Sequence, residues 1–205
     1  PYIHSKRQNA HIINLEKTVD GLNEALPKLT DIVKSGKKVL FVCCNSELAK
    51  FVSKKIPEGY PIDCCTYDEL MLRLLGDKYL TAPQNEHGNR CCFELLGDVP
   101  YSSKYDSVVV DEAQDFDVDM GLSIRALLRN EGSSDLYVFY DKNQNVFSTN
   151  FENAFAIDTP PYVLRYNIRN TGCIYRCAVD RTNLGKDTIA SCIEGVQPEL
   201  HNYAK

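Results

Sequence analysis

No run of 18 apolar residues occurs in this 205-residue sequence, so no membrane-spanning helix is expected. The first 20 residues are mixed and polar and lack the apolar centre of a secretory signal peptide. A surplus of positive charge is missing as well: 23 Lys and Arg face 28 Asp and Glu, a net charge of −5. That disfavours binding to nucleic acid by bulk charge and leaves a local basic groove open. No internal repeat or low-complexity tract is visible. The chain begins at Pro1 rather than Met, so a fragment or a processed product is expected.

CxxC spacing is also lacking, although there are nine cysteines. They fall as Cys43-Cys44, Cys64-Cys65 and Cys91-Cys92, followed by Cys173, Cys177 and Cys192. Two adjacent cysteines rarely face one tetrahedral centre, so a structural zinc site is disfavoured. Most of these thiols lie in apolar runs and read as small buried side chains. Free thiols in that number favour a reducing, intracellular compartment, either cytoplasmic or nuclear.

What is present suits a soluble globular fold: 43% hydrophobic and 25% charged residues. The length suits one compact domain with a real core, with room for an appendage. Residues 1–15 show no clear period. Residues 16–35 have helical spacing at Leu22, Ala25 and Leu29, with Pro27 interrupting the middle. Strands are expected at 37–44, 60–66, 105–113, 135–141 and 162–167. Helices are expected at 46–56 (capped by Ser46), 67–76, 120–132 and 171–185. Residues 77–104 are polar and turn-rich. Strand and helix alternate, which predicts an α/β fold with a mainly parallel sheet flanked by helices. Ligands of such sheets bind beyond the carboxyl ends of the strands.

The strongest strand ends in "VVVDEAQDF", residues 108–116. Asp111 there could hold Mg²⁺ through a carboxylate oxygen. Glu112 could orient and deprotonate a water. A helix N-cap with acidic first-turn residues would tolerate the same string.

The string resembles motif II, the Walker B box, of superfamily 1 helicases of the UvrD/Rep/PcrA type, through Asp111-Glu112-Ala113-Gln114-Asp115. Further boxes follow in the family's order. "VLFVCCNSELAKFV" (39–52) looks like motif Ia, and "CTYDELMLRLL" (65–75) is similar to the next Thr-aromatic box. "LYVFYDKNQNVF" (136–147) resembles motif III, and "LRYNIRNTGCIYRCA" (164–178) resembles motif IV.

The resemblance implies a RecA-like first motor domain over 37–185. Residues 1–36 would be an N-terminal helical segment, and 186–205 a tail leading to a second RecA-like domain. It implies an ATP-dependent helicase or translocase, with ATP and Mg²⁺ as cofactors and single-stranded DNA as partner. Asp111 would hold the metal, Glu112 would activate water, Gln144 would sense the γ-phosphate and Arg169 would neutralise the transferring phosphoryl group. Gln114 and Asn167 would join the nucleotide site. Asn45, Thr66 and Tyr67 would lie on the nucleic-acid path, Tyr67 as a stacking ring.

Several features depart from the pattern. No G-x-x-x-x-G-K-[ST] loop is found. Lys17-Thr18 could align with its end, but Glu16 replaces the glycine and would repel phosphate. Ile168 stands where the family usually has an adenine-stacking Tyr. The chain stops about 20 residues past motif IV, and only about 30 residues separate the Thr-aromatic box from motif II. A degenerate helicase-like interaction module is therefore the alternative. A small-molecule Mg²⁺ phosphohydrolase would account for Asp111-Glu112 alone.

Overall fold

The computed structural model describes residues 10–15, 36–130, 132–141, 144, 150–157, 160, 162–164, 170–182, 189–190 and 193–199, with 10–15 and 162–164 described by their backbone only. Six strands form one sheet: β1 (Ala10–Leu15), β2 (Val39–Cys43), β3 (Ile62–Thr66), β4 (Ser107–Val110), β5 (Asp135–Tyr140) and β6 (Tyr162–Leu164). Their order is β3-β2-β4-β5-β1-β6, and every pairing is parallel. The expected α/β class with a parallel sheet is what forms.

Both faces of the sheet are covered, so the inner strands are apolar on both sides. Along β2, Leu40 and Val42 point into one cluster with Val108, Val110, Leu136 and Val138. Val39, Phe41 and Cys43 point into the other, with Val109 and Phe139. Helix α1 (Ser46–Lys55) covers the second face through Ala49 and Val52. Helices α2 (Tyr67–Leu75), α4 (Val118–Ala126) and α5 (Phe151–Ala154) cover the first. Two elements stand apart from these layers: a short α3 (Asp77–Leu80) and α6 (Gly172–Thr182).

Local chemistry sets the helix ends. The Asn45 side chain accepts the N–H groups of Glu47 (2.9 Å) and Leu48 (3.0 Å), so the cap of α1 is Asn45 and not the expected Ser46. Ser46 is already the first helical residue. Thr66 and Glu69 form a reciprocal capping box on α2: Thr66 Oγ1 accepts Glu69 N–H at 3.2 Å, and Glu69 Oε2 accepts Thr66 N–H at 2.9 Å. That helix stops at Gly76, whose φ of 55° is cheap only without a Cβ.

Three expectations shift. Residues 10–15, with no readable period, form β1, paired on one side with β5 and on the other with β6. Strand β4 ends at Val110 rather than 113, because Glu112 turns left-handed at φ 52°, ψ 46° and a 3-10 turn follows over Ala113–Asp115. Helix α4 ends at Ala126 rather than 132. There the Leu127 carbonyl accepts Tyr105 N–H (2.9 Å), and Arg129 N–H donates to the Tyr105 carbonyl (2.9 Å). A pairing with a residue about 20 positions away thus overrides the local helical pattern. The helical spacing read over 16–35 lies outside the described residues. Among the described residues no helix is long and apolar enough to cross a membrane.

Candidate functional site

At β2 and β4, which are neighbours, the chain leaves the sheet in opposite directions. Strand β2 runs into α1 on one face, and β4 runs through Ala113–Asp115 into α4 on the other. Such a switch point opens a crevice at the carboxyl ends of the strands. Asp111 and Glu112 stand at its edge.

Asp111 closes the ladder: its N–H donates to the Val42 carbonyl at 3.0 Å. Its side chain is 4% exposed and accepts Glu112 N–H at 2.9 Å. Burial pushes the Asp111 carboxyl up to about 7; the Glu112 charge adds to the rise, and the Glu112 N–H opposes it. Asp115 is held above the usual carboxylate range by burial and by Glu112. Glu112 sits in the left-handed region, a conformation that costs on the order of 1–3 kcal/mol for a non-glycine residue and tends to collect at sites.

Gln114 ties the ends of β4 and β5 together. Its amide nitrogen donates to Glu112 Oε2 at 2.5 Å, and its amide oxygen accepts the Asp141 N–H at 3.0 Å. Gln144 Nε2 then donates to Asp141 Oδ2 at 2.7 Å. Asp111, Glu112, Gln114 and Gln144 are therefore one connected group, with Asp141 as the shared link.

The other expected residues have different places. Asn45 and Thr66 spend their side-chain oxygens on the N-termini of α1 and α2. The Tyr67 ring is 2% exposed and meets Phe116 edge-on at 6.1 Å between centroids, so it offers no open face for a base to stack on. Lys17, Thr18, Asn167 and Arg169 lie outside the described residues.

The sequence gave no sign of the cleft beside this group. A cavity of about 270 Å³ is lined by Cys44, Tyr67, Asp68, His87, Asn89 and Asp115, among others. Its far wall is pinned by Asp117, whose Oδ2 accepts Asn85 Nδ2 (2.6 Å) and Asn89 Nδ2 (2.9 Å) while Oδ1 caps α4 at Met120 N–H (2.9 Å). Asn85, His87 and Asn89 belong to the polar stretch 77–104. Nothing in its pattern distinguishes a loop folded over a strand end from an exposed turn.

For ATP and Mg²⁺ the fit is incomplete. One buried carboxylate can serve a hard cation. Among the described residues, however, no group of three or more His, Cys, Asp or Glu could hold a metal ion. The expected phosphate-binding Lys17-Thr18 lies outside them, and no step is derived through either cofactor.

Comparison with known proteins gives a different kinship from the helicase resemblance. Residues 1–59 match the family model for Ribosomal protein S2. The small ribosomal subunit protein uS2 of Bacteroides fragilis (strain YCH46) is 47% identical over 55 residues, covering 27% of this chain and 20% of that protein. Its counterpart in Dichelobacter nodosus is 55% identical over 54 residues, covering 26% and 20%. The counterpart in Karelsulcia muelleri is 42% identical over 62 residues, covering 29% and 28%. The chain thus spans about a fifth of the length of the first of these relatives.

These matches correct the helicase reading. The motor-domain function, its degenerate variant, the helicase, hydrolase, ATP-binding and DNA-binding descriptions, the single-stranded DNA partner and the second motor domain all fall with it. The boxes could mislead because a parallel sheet repeats their form. Each inner strand is an apolar run ending in a polar turn at the same edge, as at Cys43-Cys44-Asn45, Thr66-Tyr67-Asp68, Asp111-Glu112 and Asp141.

Proposed function

We propose that this chain is a structural component of the small ribosomal subunit, working in the cytoplasm, and that its first 59 residues carry the association. The observation that supports this is the match of residues 1–59 to Ribosomal protein S2, with 47% identity to a uS2 protein over 55 residues. Charge points the same way. Residues 1–59 hold ten Lys and Arg against six Asp and Glu, whereas residues 60–205 hold 13 against 22. A basic third in an otherwise acidic chain suits an RNA-rich partner, whose phosphates dominate affinity. The test is co-sedimentation of the intact chain with small subunits depleted of uS2. The chain should pellet with them and be displaced by added uS2. Sedimentation no better than with large subunits would overturn the proposal.

A second reading concerns Asp111, whose carboxyl is pushed up to about 7 beside Glu112. A divalent cation such as Mg²⁺ would relieve that crowding of carboxylates. The test is whether Mg²⁺ raises the unfolding midpoint above neutral pH in the wild type but not in Asp111→Asn.

A further inference from the structure

The outward face of α1 carries an arrangement that packing does not require. At 3.6 residues per turn, Lys50, Lys54, Glu47, Phe51 and Lys55 fall within an arc of about 140°, opposite the buried Ala49 and Val52. Phe51 is 50% exposed at the middle of this stripe. Lys55 Nζ lies 5.6 Å from the centre of its ring. Lys50 is held by Glu47 at 2.8 Å. Lys54 and Lys55 make no ion pair among the described residues.

Two ordinary explanations cover parts of this. Lysines in the last turn complement the helix dipole, which accounts for Lys54 and Lys55. A single exposed phenylalanine is common on protein surfaces. Neither accounts for an aromatic ring set among three lysines, on the one flank of an acidic chain where positive charge gathers.

We infer that this face of α1 is a contact for single-stranded RNA, with Phe51 stacking on an unpaired base and Lys54 and Lys55 meeting the adjacent phosphates. The inference deepens the ribosomal reading and rests on it for the identity of the partner. Charge complementarity supplies the polyanion, since the stripe is net positive while residues 60–205 are net negative. The ring supplies the preference for a single strand. A duplex hides the faces of its bases, whereas an unpaired base can lie on an aromatic side chain with a cation beside it. An acidic protein would satisfy the lysines and leave the ring unexplained.

The test uses the full chain and a fluorescently labelled single-stranded RNA oligomer, with affinity read by anisotropy across a salt series. Phe51→Ala should weaken binding roughly tenfold, as loss of one stacked base does, and leave the salt slope unchanged. Lys54→Gln with Lys55→Gln should flatten the slope of log affinity against log salt by about 1.4, the contribution of two phosphate contacts on a single strand. Lys78→Gln, exposed on α3 and off the stripe, should change neither. All these side chains are exposed, so unchanged thermal unfolding separates lost contact from lost fold. Wild-type chain that does not bind the oligomer, or Phe51→Ala and the double lysine variant binding as the wild type does, overturns the inference. The same variants in co-sedimentation keep the two proposals apart. Small-subunit association that the stripe variants leave intact overturns this inference alone. RNA binding that behaves as expected without subunit association supports the inference and sinks the ribosomal reading.

Discussion

Asp111 shows how much one residue's environment departs from its local sequence. The string of three valines and an acid places it at a strand end, and it is found there. Its titration is set by burial beneath the crossing chain and by Glu112, which tertiary packing brings in. The sign follows from the raised value. The unfolded carboxyl ionises near 3.8 while the folded one holds its proton to about 7, so the folded state binds more protons between them. Stability from this group is complete below the unfolded value and is lost as pH rises to about 7. Asp111→Asn removes the effect. Urea unfolding from about pH 4 to about pH 8 should show the variant gaining on the wild type as pH rises, reaching on the order of 2–4 kcal/mol above neutrality. A stability difference that does not change with pH would contradict it. Glu112 was not legible in the same way. A left-handed conformation can be anticipated at glycine, but for a glutamate only the folded turn reveals it.

At the scale of elements, the contact between α4 and α5 depends on one missing side chain. A Cβ at Gly121 would lie 2.4 Å from Ala154 Cβ and 3.2 Å from the Ala154 carbonyl carbon. Those neighbours are a short side chain and backbone, which cannot swing aside. Gly121→Ala should therefore destabilise by about 1–3 kcal/mol, although alanine is the better helix former by about 1 kcal/mol. The midpoint of chemical unfolding reads this directly, and a midpoint equal to or above wild type would refute the tight approach. Most element positions could be read from apolar periodicity, as with the strand at 62–66 and the helix at 67–75. The end of α4 could not, because the Tyr105–Leu128 bridge that draws the chain away joins residues about 20 apart. The roles of Thr66 and Tyr67 were misread for a related reason. A capping hydroxyl and a core ring use the same residue types as a phosphate contact and a stacking platform.

Across the whole molecule, the segment matched by the ribosomal family is not a separable unit. It contains β1 and β2, yet these strands do not touch each other. Strand β1 pairs with β5 and β6, and β2 with β3 and β4. Most of the apolar surface of β2 is therefore covered by residues beyond 59, including Val108, Val109, Val110 and Phe139. A peptide of residues 1–59 should be unfolded in isolation, without a cooperative thermal transition by circular dichroism. A sharp transition would mean that those residues form a different and self-sufficient fold. The charge contrast between this third and the rest is accordingly a feature of one continuous sheet.

The sequence alone determined the alternation of strands and helices, the α/β class, the acidic strand end at Asp111 and the capping chemistry near Asn45 and Thr66, because each depends on residues within a few positions of one another. It did not determine the strand order, the insertion of β1 between β5 and β6, the left-handed Glu112, the cleft under Asn85 and Asn89, or the brace that Gln114 makes to Asp141. Those depend on pairings between residues far apart in the chain, whose closure is settled by the packed core as a whole.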